Sequence, residues 1–179
     1  MDDTWPRVSN ILDVKDWGMK PIPKFILKRY GDYGTSFHQL VHKKVSGKRT
    51  RITERFRTKW EGLKVYLDQY EILYSEVPVC WTDDKDPSRR YRGTPDLIVR
   101  HKETGSIRLL DIKTGKFYPR HDYQQSAYKL AIKQFFNLDV EDMLLVRPTE
   151  EGLVEEQVCL DRTVEFLDLL DIFYDKKRV

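Results

Sequence analysis

Apolar residues recur along this chain with two alternating periods. Phe37, Leu40 and Val41 follow Gly34-Thr35-Ser36 at helical spacing, which predicts a helix start there and puts His38 on that helix. Phe56, Trp60, Leu63, Leu67 and Tyr70 then form one stripe, predicting a long amphipathic helix over Thr53–Tyr70. The period next shortens to two. Glu71–Trp81, Tyr91–His101 and Ser106–Thr114 read as three strands, the first two separated by a polar loop, Asp83–Arg90, that contains Pro87. Glu103-Thr104-Gly105 is turn chemistry, so the second and third strands should form a hairpin. The helical period returns over His121–Asn137, with Tyr128, Ala131, Ile132 and Phe135 as apolar positions. Asp142–Thr149 and Leu153–Leu160 read as strands around a Glu150-Glu151-Gly152 turn. Asp161 caps a last helix through Tyr174, with Val164, Leu167, Leu170 and Phe173 on its apolar face. Met1–Tyr33 reads as an irregular N-terminal arm, since Pro6, Pro21 and Pro23 interrupt any long helix.

The resulting order is helices, three strands, a helix, a strand pair and a helix. It predicts a mixed α/β domain, a central sheet flanked by helices, over residues 1–179. Alternation along the hairpin places its charged groups. With the turn centred on Glu103-Thr104, paired positions sum to 207 and Asp96 faces Asp111. Centred one residue later, Asp96 faces Lys113. Asp111 and Lys113 share a sheet face, so either register puts Asp96 beside them, with Leu97, Val99, Leu110 and Ile112 on the opposite, apolar face. Two nearby carboxylates repel unless a cation lies between them, and oxygen ligands suit Mg²⁺ or Mn²⁺. An ammonium beside them suits stabilisation of a phosphate. The same three groups could equally form a salt bridge across a hairpin.

Composition narrows the class. Charged residues make up 34% and aromatics 12%, and the mean hydropathy is −0.63, as in a polar-surfaced globular protein. The longest apolar run, Met143–Val146, is far too short to span a bilayer, and no signal-peptide pattern opens the chain, so a cytoplasmic protein without membrane contact is expected. Net charge is +3, unevenly distributed: Lys43–Lys59 carries a net +7 and Asp139–Asp175 a net −10. The basic segment suggests a face for a polyanion, through Lys43, Lys44, Lys48, Arg49 and Arg51. Cys80 and Cys159 cannot by themselves build a four-thiolate zinc or iron–sulfur site.

Pro95-Asp96, fourteen residues, then Asp111-Ile112-Lys113 resembles the signature of the PD-(D/E)XK nuclease superfamily, on the second and third strands of an α-β-β-β-α-β order, which is that superfamily's restriction-endonuclease-like core. The likeness is to the RecB-type branch, which includes phage exonucleases. Gly93-Thr94-Pro95-Asp96 matches its Gly-x-x-Asp, Gln124 to Tyr128 its Gln-x-x-x-Tyr, Gly34 to His38 its Gly-x-x-x-His, and Glu76 its first-strand Glu. The likeness runs from about Val8 to Val146. It implies that Asp96, Asp111 and the Ile112 backbone carbonyl hold one or two Mg²⁺ or Mn²⁺ ions, with His38 as an additional ligand. It implies that Lys113 is the catalytic lysine, that Glu76 supports a second ion or the water, and that Gln124 and Tyr128 lie against the site and the DNA backbone. Thr114 and Lys116 continue past the lysine toward phosphate. The activity implied is a metal-dependent exodeoxyribonuclease in recombination, repair or phage DNA processing, working with a recombination or helicase partner. Relatives with an iron–sulfur cluster use four cysteines, so no cluster is expected here. A structure-selective endonuclease with the same site, or a non-catalytic nucleic-acid-binding module, stays open.

Overall fold

In the computed structural model, residues 4–18 and 22–178 are described; Met1 and Pro21 of the expected irregular arm lie outside them. The central sheet has five strands in the order β1-β4-β5-β6-β7: β1 (Tyr70–Ser75), β4 (Leu97–His101), β5 (Ile107–Ile112), β6 (Asp142–Pro148) and β7 (Val154–Val158). Only β5 and β6 pair in parallel. Parallel neighbours need a crossover, supplied here by α4 (Arg120–Phe136). A separate ribbon pairs β2 (Val79–Thr82) with β3 (Arg90–Gly93). Sheet and helices form the mixed α/β architecture that the periodicity predicts.

Both faces of the sheet are apolar. Leu97, Val99, Leu110 and Ile112 pack under α2 (Lys24–Val45) and α3 (Arg57–Leu67), against Phe37, Leu40, Val41, Trp60 and Leu63. Ile98, Leu109 and Leu145 face α4, whose Ala127, Ala131 and Ile132 are fully buried, and α5 (Thr163–Arg178), which brings Phe166 and Leu170. The acidic C-terminal helix thus covers core rather than standing apart. Asp161 accepts a hydrogen bond from Thr163 N at 3.0 Å, as expected of a cap.

Several sequence expectations are corrected. The arm is not irregular throughout. Val8–Leu12 forms a short helix, α1, that buries Val8, Ile11 and Leu12, and α2 begins at Lys24 rather than Gly34. Pro23 precedes α2's first turn, where a missing N–H costs nothing, so it starts the helix instead of breaking it. The stretch before α3 is a 3₁₀ turn, Glu54–Phe56, and Tyr70 already belongs to β1. Two expected strands are each split. Pro78 and Pro95 lack the N–H a ladder needs, and Glu76 is left-handed at φ 46°, so the chain leaves one sheet and joins another at both points. On the last two helices, Phe135 and Val164 are exposed, and Phe136 packs against the core instead.

One close approach locks α3 to the sheet. A Cβ on Gly62 would lie 2.0 Å from the carbonyl oxygen of Gly152, in the β6–β7 turn. Gly31, inside α2, has open space where a Cβ would stand. Gly62→Ala is therefore expected to lower stability by about 1–3 kcal/mol, and Gly31→Ala to raise it by about 0.4–1 kcal/mol. Urea unfolding of both variants checks this; equal midpoints, or the reverse order, would refute the contact.

Candidate active site

The strand breaks create the site. Leu97 pairs with Leu110 and Ile98 with Leu109, which is the register that sums to 207, so Asp96 stands opposite Asp111 just where β4 begins. Pro95 ends the ribbon, and Asp96 is left with its side chain at the sheet's end. Its carboxylate accepts the Ile112 N–H at 2.7 Å through Oδ2, and Oδ1 lies 3.2 Å from His38 Nδ1. Its backbone carbonyl accepts the N–H of Glu76 at 2.8 Å, which ties the end of β1 to the same point. Ile112's carbonyl faces Pro95 in this register, and a proline has no N–H to offer it.

Asp111 is held between two paired strands, opposite Leu145 of β6. Its side chain is 6% exposed. Oδ2 lies 2.5 Å from Lys113 Nζ, a close buried ion pair. Lys113 Nζ also reaches Gln124 Oε1 at 3.4 Å, and Gln124 Nε2 donates to Tyr128 Oη at 3.1 Å. Gln124 and Tyr128, four apart on α4, thus form a relay onto the lysine. Gly93 makes room for it: a Cβ there would lie 2.3 Å from Tyr128 Cε1. His38 comes from the helical layer on one face of the sheet and Gln124 from the layer on the other, so the two layers meet across the strand ends.

Electrostatics divides the two carboxylates. Burial pushes Asp96 up, but His38's charge and hydrogen bond, Lys113 and the Ile112 N–H outweigh it and hold Asp96 below its ordinary value. Burial pushes Asp111 up, and Lys113 offsets this only in part while Asp96 adds to it, so Asp111 is raised. Burial would lower His38, but Asp96's charge and hydrogen bond raise it overall. His121, at the start of α4, is lowered to about 3 by burial and then by Lys113 and Arg120, so it is neutral beside the lysine at neutral pH. Burial also raises the Tyr128 hydroxyl, keeping it a neutral hydrogen-bonding group.

Of the residues singled out in the sequence, His38, Asp96, Asp111, Lys113, Gln124 and Tyr128 form one connected cluster. Glu76 lines a small cavity with His38, His42 and Asp96. Thr114 follows Lys113 and stands against α2, with Oγ1 3.3 Å from where a Gly34 Cβ would be. Lys116 is exposed. Lys43, Lys44, Lys48, Arg49 and Arg51 are not drawn into the cluster; they occupy the last turn of α2 and the connection that follows it. His42 was passed over. It stands one turn beyond His38, and its Nδ1 lies 2.9 Å from Ser75 Oγ; the i, i+4 spacing to His38 was the available signal. Nothing in the sequence marked His121, whose setting depends on the β5–α4 connection. Cys80 and Cys159 are free thiols.

The residues fit a hard divalent cation. Among the described residues, no group of three or more His, Cys, Asp or Glu side chains is arranged to hold a metal. Mg²⁺ does not need one: it keeps several waters and commonly binds through one or two carboxylates. Asp96 and Asp111, two carboxylates facing each other at the end of the sheet, are the kind of oxygen ligands such an ion takes up.

No protein-family model and no curated protein sequence matches the chain. Among solved structures, a protein from Eubacterium rectale provisionally named an exonuclease superposes with a TM-score of 0.59 at 12% identity, over 96% of this chain and 79% of that one. The two share a fold. A second structure, SSO0001, overlaps at a TM-score of 0.38 and 12% identity, over 78% of this chain and 85% of that one, and supports no comparison. No helix among the described residues is long and apolar enough to cross a membrane.

The His38–Asp96 pair makes stability depend on pH. His38 is raised, so its contribution is complete below 6.5 and lost as pH rises through its folded value; Asp96 is lowered, so its contribution is complete above 3.8 and lost as pH falls through its folded value. With chelator present, the stability advantage of wild type over His38→Gln is expected to be larger at pH 5.5 than at pH 9. Urea titrations at the two pH values check this, and a pH-independent difference would refute the pairing.

Proposed function

We propose that this chain is a divalent-metal-dependent nuclease that hydrolyses phosphodiester bonds in DNA, in the manner of the RecB-type nucleases its motifs resemble. One observation carries the reading: Asp96, Asp111 and Lys113 converge at the end of a sheet, with the Asp111 carboxylate buried against the Lys113 ammonium. The fold shared with the Eubacterium rectale protein supports it.

Asp96 and Asp111 would hold the cation, with the Ile112 carbonyl and His38 within its reach. When bound, that ion supplies charge that stabilises the phosphate oxygens and lowers the pKa of a water. The remaining work belongs to the chain. Lys113 Nζ, beside Asp111, would donate to a non-bridging phosphate oxygen. Gln124 keeps the ammonium from swinging away, and Tyr128 fixes Gln124. A neutral His121 adds no second positive charge beside Lys113. Asp96, held ionised by His38 and the Ile112 N–H, keeps its charge at any pH where such an enzyme would work. Exonuclease action is the preferred mode, acting on strand ends rather than on closed circles.

Incubation of the protein with labelled linear, closed circular and single-stranded DNA in Mg²⁺ or Mn²⁺ tests this. Linear DNA should be degraded and closed circles spared. Asp111→Ala and Lys113→Ala should each lower the rate about 10²-fold or more. Undiminished cleavage by both variants would sink the site assignment, and cutting of closed circles would replace exonuclease with endonuclease action.

A further inference from the structure

The first half of α2 lies largely clear of the rest of the molecule. Residues 24–32 are almost wholly exposed, whereas Phe37, Leu40 and Val41 of the same helix are buried. The stripe that packs into the core at Phe37 continues backward through Tyr33, Arg29 and Phe25 at four-residue steps, so the overhang carries the core-facing side of the helix out past the core. Beneath it lies a cleft of about 600 Å³, lined by Phe25, Arg29, Tyr30, Tyr33, Lys59 and Thr114. Thr114, one of its lining residues, is next in the chain to Lys113. The same helix that carries His38 at the site therefore carries Phe25 thirteen residues away, about 20 Å along its axis.

The chemistry of this cleft is specific. Phe25 is 74% and Tyr30 70% exposed, a large cost in water for two aromatic rings that line the same cleft from positions five apart on the helix. Lys24, Lys28 and Arg29 stand among them, exposed and in no ion pair among the described residues. Acidic groups nearby are few: Asp32, and Glu150, which Lys59 already neutralises at 2.7 Å. Exposed aromatic faces interleaved with unpaired cations fit a chain that offers flat π-faces and phosphates at short intervals. A duplex hides its base faces in the stack, and a protein partner would find the apolar patch interrupted by cations. Single-stranded nucleic acid meets both requirements.

We propose that the cleft beneath the α2 overhang binds single-stranded DNA, with bases stacked on Phe25 and Tyr30 and phosphates on Lys28 and Arg29, and leads the strand past Thr114 to the carboxylate site. This deepens the nuclease reading by naming the form of substrate, and it rests on that reading only for what happens at the strand's end.

Binding is measured separately from cleavage. In chelator, a fluorescein-labelled twelve-nucleotide oligothymidylate and a blunt duplex of equal length are titrated by anisotropy. Wild type should bind the single strand more tightly than the duplex. Phe25→Ala/Tyr30→Ala should weaken single-strand binding by about tenfold or more, with an unchanged melting temperature, while Phe25→Trp/Tyr30→Trp should retain it. Phe135→Ala, an exposed aromatic elsewhere, should have no effect. Arg29→Gln should reduce the slope of log affinity against log salt by about 0.7. Equal affinity of wild type and the double alanine variant would overturn the proposal, as would preference for the duplex. It would also be overturned if sedimentation showed the alanine variant dissolving a dimer, since a second copy would then fill the cleft. Aromatic-dependent binding without any metal-dependent cleavage would uphold the cleft and defeat the nuclease reading instead.

Discussion

Two carboxylates at the end of a buried sheet are a liability that the rest of this structure is arranged to manage. Asp96 and Asp111 face each other across β4 and β5 where little water reaches them, and in that setting each opposes the other's ionisation. The chain answers with one cation per carboxylate from opposite directions, His38 from α2 and Lys113 from the end of β5. The answer is asymmetric. Asp96 also has a backbone donor, and its charge is secured. Asp111 relies on Lys113, which offsets its burial only in part. A site balanced in this way secures one carboxylate and leaves the other only partly compensated.

The balance depends on two prolines. Had Pro95 been a residue with an N–H, the ladder could have run from β3 into β4 unbroken and used Ile112's donor and acceptor. Because it cannot, the Ile112 N–H turns to Asp96 and its carbonyl is released from the ladder. Pro78 does the same on the neighbouring strand, and the left-handed Glu76 beside it docks on the Asp96 carbonyl. Glycine completes the arrangement: without a side chain at Gly93, the Tyr128 ring closes over the strand break and carries Gln124 to Lys113.

What could be read in advance follows from the range over which each signal acts. Side-chain parity along a hairpin is local, so the common face of Asp96, Asp111 and Lys113 was legible from the turn at Glu103-Thr104-Gly105 alone. The i, i+4 relation of Gln124 and Tyr128 was legible for the same reason. The strand breaks were not, although Pro78 and Pro95 were in plain view, because apolar alternation ran straight through both and outweighed them. The start of α2 was misplaced because Gly34-Thr35-Ser36 was read as a helix start and the prolines before it as breakers, whereas the helix begins at Lys24 and runs through Gly31 and Gly34. Glycine costs only about 1 kcal/mol in a helix interior, and helical residues on both sides carry the helix across two of them. His121's neutrality was beyond reach, since it depends on which loop brings it beside Lys113.

Charge shows most clearly how composition misleads when read without partners. The basic stretch Lys43–Lys59 and the acidic stretch Asp139–Asp175 look like two opposed faces, yet the fold pairs much of the acidic stretch with cations. Lys59 is buried against Glu150 and Tyr33, Arg57 binds Glu54, Lys129 binds Asp161, Lys133 binds Asp139, and Arg147 binds Glu155. An ion pair already made offers little to a phosphate, because binding must first break it. The cations that attract a polyanion are those the fold leaves unpaired; among the described residues these include Lys24, Lys28 and Arg29 at the start of α2, outside the segment that net charge alone would select, as well as Lys43, Lys44, Lys48, Arg49 and Arg51 within it. The position of Lys24, Lys28 and Arg29 on the helix that also bears His38 matters mechanically. A single rigid α-helix would fix the distance between a strand gripped at the overhang and the carboxylates, so that binding there would also position the strand at the site.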